Sequence, residues 1–237
     1  MTTLAEQTLA AIVTGTPQAV PVLEKYNLDF CCKGKRTLAK ACEEKGIKIE
    51  SITRELSSLI NTPANKQMPF TEMSAEQLIN YILIHHHFYV KQSMPTIITH
   101  LDKVATKHGD RFPDMKKVYD LFIIIKREMT LHMQKEEAIL FPRIKVTEGL
   151  FSAGKFSEIP KDYIQLPING IEADHEEAGN IMYEIRRLTN NYTAPENTCT
   201  TFKVTLAELK EFEENLHSHV HLENNILFPK AIQYENN

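Results

Sequence analysis

Tryptophan is absent from these 237 residues, and cysteine occurs only four times. Four thiols are too few for a disulfide scaffold. Cys31, Cys32, Cys42 and Cys199 form neither a C-x-x-C pair nor a zinc-finger spacing. Positive charge is in short supply too: 27 Lys and Arg against 31 Asp and Glu leave a net charge of -4. With no Lys/Arg block either, the electrostatic footprint of a nucleic-acid binder is excluded. No apolar run approaches the about 20 residues that span a bilayer, so no membrane partner is expected. The opening residues MTTLAEQTLAAIV lack the basic stretch and cleavage site of a secretory leader, and the chain is read as cytoplasmic. HExxH, P-loop and GxSxG motifs are missing, and strand signals are poor.

What is present is helical patterning, in two parts. Residues 1–62 carry short helical patterns, Thr37 to Lys45 and Ile52 to Ile60 among them, with turn signals at Gly15-Thr16-Pro17 and Gly34. The proline-containing stretch Asn61 to Pro69 places a linker over 63–70. Residues 71–237 then hold four long segments with apolar residues at three- and four-residue steps. The first runs from Ser74 to His108, with Ser74 and Gln77 forming a capping box. The second runs from Pro113 to Phe141 and stops before Pro142. The third runs from Asn169 to Leu188. The fourth runs from Thr200 to Phe228 and stops before Pro229. The expected fold is all-α: a small helical N-terminal domain followed by an up-down-up-down four-helix bundle. The longer irregular stretch Val146 to Gly170 must cross the end of the bundle or carry a small extra element.

An internal repeat carries the chemistry. Residues 132–142 read HMQKEEAILFP and residues 219–229 read HVHLENNILFP. Both fit H-x-x-x-E-x-x-I-L-F-P. His87 lies 45 residues before His132, and His175 lies 44 before His219. Each half is thus a hairpin with one histidine on its first helix and His-x-x-x-Glu on its second. Residues four apart share a helix face. His132 falls in step with Ile125, Met129 and Ile139, and His219 with Phe212, Leu216 and Ile226. His87 follows Leu83, Val90 and Met94, and His175 follows Ile171, Ala178 and Met182. Six polar donors therefore lie on apolar stripes. A lone core histidine is ordinarily just a satisfied polar group, but two carboxylates at matched buried positions call for a cation.

The candidate metal ligands are His87, His132, Glu136, His175, His219 and Glu223. They exceed a single four-ligand zinc site. Nitrogen and oxygen donors without thiolate suit iron, with manganese second. Two metals, each with two histidines and bridged by both glutamates, would leave positions for an oxo or hydroxo bridge or a small ligand. Ferritin-like sites use Glu-x-x-His instead. Among the consecutive His85, His86 and His87, His87 fits the stripe, and His86 replaces it if the register differs by one. His100, His108, His217 and His221 are read as surface residues or as neighbours of the ligands. Glu128 and Asp174 are candidate outer carboxylates, against the plainer reading of solvated helix charge. Cys42 and Cys199 are read as structural.

These residues resemble the hemerythrin-like (HHE cation-binding) bundle. Hemerythrin uses one more histidine than the four matched here, which turns the reading away from simple oxygen carriage. Residues 27–42, NLDFCCKGKRTLAKAC, resemble the N-terminal domain of the RIC family, bacterial proteins for repair of iron-sulfur centres. The pattern is (I/L)-D-(Y/F)-C-C-x-G-x-x-x-L-x-x-A-C. The resemblance implies a non-haem di-iron site on the same six ligands. It also implies a role in restoring iron-sulfur clusters damaged by nitric oxide or peroxide, with the damaged proteins as clients. Cys31 and Cys32 would then serve thiol transfer or docking, with Lys33, Lys35 and Arg36 favouring the thiolate. A disulfide between adjacent cysteines would be strained. The expected activity is stoichiometric iron donation. A di-iron enzyme reducing nitric oxide or peroxide, or a sensor, is the alternative. A homodimer stays open.

Overall fold

The computed structural model describes residues 3–60 and 70–236. The expected linker falls almost wholly outside them. Helices α1 (Leu9–Gly15), α2 (Val20–Lys25), α3 (Leu38–Lys45) and α4 (Ile49–Ile60) make the N-terminal unit. Thr8 and Thr37 cap α1 and α3 through their side chains, and the two helix starts are tied by a short antiparallel bridge. A Cβ on Gly34 would come within 2.2 Å of the Phe30 carbonyl. Only glycine allows the close turn that brings residues 30–34 against α1.

Four long helices follow: α5 (residues 75–108), α6 (114–152), α7 (Gln165–Leu188) and α8 (200–235). Ser74 and Gln77 form the expected capping box at α5. Three helices are interrupted by a single π turn: Leu83–His87, Glu136–Leu140 and Glu223–Leu227. These turns correct the sequence reading in two ways. First, α6 and α8 do not stop at Pro142 and Pro229. Each proline sits in the first turn after a π turn, where helical hydrogen bonding restarts and a missing N–H is tolerated. Secondly, the extra residue rotates the remainder of the helix about its axis. Ile139, expected on the buried stripe, is 46% exposed, and Leu140 is buried in its place.

The helical extensions have a purpose that the proline signal concealed. Glu148, on the end of α6, accepts hydrogen bonds from the amides of Ala75 and Glu76 at the start of α5 (2.7 and 2.9 Å). Glu235, on the end of α8, does the same for Ile164 and Gln165 at the start of α7 (3.0 and 3.3 Å). Each carboxylate satisfies amides that a helix start leaves unpaired.

Two apolar clusters fill the molecule. The smaller closes one end of the bundle, around Leu78, Ile82, Leu140, Phe141, Ile168, Leu227 and Phe228. The larger fills the rest of the bundle, around Val90, Phe122, Met182 and Phe212, and continues into the N-terminal unit through Leu9, Leu23, Phe30 and Leu38. Helix α7 meets α8 less closely than the other adjacent pairs meet one another. The N-terminal unit sits over that seam: Cys32 and Lys35 reach α7, and Glu24, Phe30 and Cys31 reach α8.

Candidate metal centre

Between the two clusters lies a polar layer. His87, His132, His175 and His219 are each at most 2% exposed, and Glu136 and Glu223 are fully buried. Four helices deliver them. His87 ends the π turn of α5, and Glu136 and Glu223 begin those of α6 and α8. The wider turn places a ligand at its end while the helix continues, a local distortion often found at functional sites.

The six residues fall into two sets of potential ligands. His87, Glu136, His219 and Glu223 form one, and His132, Glu136, His175 and Glu223 the other, with the ligand atoms of each set within 4.8 Å of one another. Glu136 Oε2 lies 3.3 Å from His87 Nε2 and 3.1 Å from His132 Nε2. Glu223 Oε1 lies 3.1 Å from His219 Nε2, and its Oε2 lies 3.1 Å from His175 Nε2. Each carboxylate thus reaches one histidine of each set, as a bridge between two cations would. Phe141 stacks on His87 and Phe228 on His175. That accounts for the phenylalanine of the repeated L-F-P.

The layer fits a cation on its own polar balance. His87 Nε2 and both Glu136 oxygens are buried without a hydrogen bond, an expensive arrangement unless something else satisfies them. Burial would raise the carboxyl of Glu223, yet the neighbouring His219 and His175 hold it well below the usual carboxylate range. Burial opposes charge on His132 as well, but Glu136 and Asp174 lift it to about 10. Of the charges that polarise these imidazoles, Glu136 and Glu223 are also the ones that would ligate a metal.

The outer partners were partly legible. Asp174 lies 3.6 Å from His132 Nδ1 and is held by Lys135 at 2.8 Å. Glu128 is paired with Arg127 at 2.7 Å and reaches no ligand in the structure. Sequence reasoning missed two partners. Glu137 lies 2.7 Å from His87 Nδ1 and is held by Lys91, and Asn224 Oδ1 lies 2.9 Å from His175 Nδ1. Both directly follow a carboxylate of the repeat, a signal that could have exposed them. His86 is buried beside His87, stacked on His219 and bonded to Asn215.

The double-cysteine loop covers this layer from the α7–α8 seam. Cys31 and Cys32 are free thiols with their sulfurs 3.9 Å apart. Cys32 donates to the carbonyl of His175 at 3.4 Å. The expectation of a thiolate fails at Cys31. Its contact with Cys32, its burial and the nearby Asp29 all push its pKa well up, while Lys35 and Arg36 pair with Glu172 and Glu44 instead. Cys199, read as structural, is exposed and bonded to His108. A cleft of about 310 Å³ opens beside the loop, lined by Cys31, Cys32, Lys35, Glu172, Glu176 and Asn224 among others. His217 and His221, expected on the surface or beside the ligands, form the seat of the loop. Phe30 meets both rings edge-on, and His217 bonds to Glu24.

Burial holds His86 and His221 down at about 4, against an unfolded value of about 6.5. Their contribution to stability is therefore complete above pH 6.5 and is lost as pH falls toward 4. The linkage is on the order of 3 kcal/mol for each. His132 acts in the other direction and in another window, between about pH 6.5 and 10. Thermal melts of the metal-free chain should drop steeply from pH 7 to pH 4.5, and His221→Gln should flatten that slope. A variant slope equal to that of the parent would refute the assignment.

The family model described as hemerythrin HHE cation binding domain matches residues 78–231. A second, described as a domain of unknown function (DUF542), matches residues 5–60. The iron-sulfur cluster repair protein YtfE of Cronobacter sakazakii is 34% identical over 230 residues, 97% of this chain and 98% of the relative. YtfE of Shigella boydii is also 34% identical over the same span, and YtfE of Escherichia coli is 33% identical. Among the described residues, no helix is long and apolar enough to cross a membrane.

Proposed function

This chain belongs to the hemerythrin-like RIC family, and from that premise we propose that it repairs damaged iron-sulfur clusters by giving iron to them. His87 and His219 would hold one iron, His132 and His175 the other, with Glu136 and Glu223 shared. The observation that carries the reading is the pair of donor sets meeting on two buried carboxylates. When bound, the irons supply a pool of exchangeable metal ions and, with an oxo or hydroxo bridge, a means of holding the ferric form more tightly than the ferrous.

The chain's own residues set the terms of release. The donors are imidazoles and carboxylates, which bind ferrous iron less tenaciously than a thiolate cage would. Glu137 and Asp174 steady His87 and His132 from behind, each anchored by a lysine. Apolar side chains close the layer above and below, so exchange is directed toward the loop and its cleft. Clients are proteins whose clusters have lost iron to nitric oxide or peroxide.

The test uses chain loaded with isotopically labelled iron and a nitric-oxide-damaged client, without other iron. The label should appear in the restored cluster, about two irons leaving per chain if both ions are donated. Repair that proceeds with no label transferred would defeat the proposal. Steady consumption of nitric oxide or peroxide with an electron donor would move the reading to a di-iron enzyme. Glu137→Ala should quicken iron loss to a chelator by about 10–100-fold; an unchanged rate would remove Glu137 from the account.

A further inference from the structure

The two copies of the repeat differ where one of them faces the N-terminal unit. Gln134, Glu137 and Ala138 of the first copy are His221, Asn224 and Asn225 in the second. All three replacements contact the double-cysteine loop or its partners. His221 receives Phe30. Asn225 Nδ2 donates to the Phe30 carbonyl at 3.2 Å and to His221 Nδ1 at 3.0 Å. Asn224 Nδ2 donates to the Cys31 carbonyl at 3.4 Å, while its Oδ1 accepts from His175 Nδ1 at 2.9 Å. Two consecutive asparagines of one π turn thus hold two consecutive carbonyls of the loop.

Asn224 has a second consequence. A carbonyl can only accept, so the Cys31 oxygen fixes which end of the Asn224 amide is NH2. The other end must be the oxygen, and it can only accept. His175 Nδ1 must therefore carry its proton there, which aims the Nε2 lone pair inward. Glu137 does the corresponding work for His87 with a lysine behind it. For His175 the backing is the loop itself, and Cys32 grips the same residue through its carbonyl.

We propose that Asn224 is a positioning residue through which the seated double-cysteine loop holds the His132–His175 half of the centre. One iron of the two is retained only while the loop is docked. The inference rests on the two-iron reading for its consequence, but the orientation of His175 does not require it.

The experiment follows release of ferrous iron from the loaded full-length chain to a chromogenic chelator. Asn224→Ala should place one iron per chain in a phase about 10–100-fold faster, leaving the other unchanged. Glu137→Ala should quicken the other iron, so the double variant should release both fast. Alkylating Cys32 with iodoacetamide, in a Cys199→Ser background, should free the same single iron as Asn224→Ala and add nothing to that variant. Both irons quickening together in Asn224→Ala, or alkylated chain losing neither, would overturn the proposal. Nitrogen-15 spectra of the metal-free chain give an independent reading. They should show a slowly exchanging Nδ1–H on His175 that Asn224→Ala abolishes. A proton on Nε2 alone would overturn the proposal whatever the iron content. A protected Nδ1–H in a chain that binds no iron would uphold the orientation and defeat the iron-donor reading.

Discussion

Replacing Glu223 by alanine should empty both halves of the centre at once. Its two oxygens reach histidines of different sets, His219 and His175, so no half keeps its full complement without it. Removing a histidine strips one donor from one half only. Iron analysis of purified protein should therefore separate the two classes. Glu223→Ala and Glu136→Ala should fall from two irons per chain toward none, a loss beyond the about 10–100-fold that an outer partner commands. His175→Ala and His219→Ala should each retain about one iron, since the other half keeps all its donors. Glu223→Gln, which preserves volume but not charge, should follow the alanine variant in iron content while melting closer to the parent. One iron firmly kept by both glutamate variants would mean that the carboxylates are not shared.

Phe30→Ala should destabilise the fold and unseat the double-cysteine loop together. The ring is 1% exposed and meets His217 and His221 at centroid distances of 6.0 and 5.9 Å. Truncating a buried phenylalanine typically costs about 3–5 kcal/mol. Here the loss falls on the contact that seats the loop, so a second effect should accompany the lower denaturation midpoint. Cys31, buried in the parent, should become reactive toward thiol reagents under conditions where the bundle remains helical. A midpoint shift below about 1 kcal/mol with unchanged thiol reactivity would show that the loop is held by other means.

Much of the bundle and its candidate centre was legible because the strongest physical constraints are periodic. A buried carboxylate four residues from a buried histidine stands out on an apolar stripe, and doing so twice at matched positions removes chance. Three things were hidden, each for a reason. A π turn adds one residue to the hydrogen-bond ladder and leaves no trace in composition, so Ile139 was assigned to the wrong face. Pro142 and Pro229 carry the ordinary stop signal of a helix, and only the wider turn before them cancels it. The seat made by His217 and His221 depends on Phe30, which lies far away in sequence and has no periodic relation to them. The thiolate expectation at Cys31 failed for a related reason. Cations adjacent in sequence were assumed to be adjacent in space, but Lys35 and Arg36 turn to Glu172 and Glu44.

The carboxylates of Glu148 and Glu235 have one more implication. Each fastens the tail of a hairpin to its own head, and Tyr234 of the second hairpin also donates to Glu148 of the first, so the two closures are joined. A protease nick in the exposed connection near Gly154 would then leave two fragments with closed termini, each contributing a single bridging carboxylate. The apolar core shared by the two hairpins and the shared carboxylate layer should then keep the fragments together after the cut.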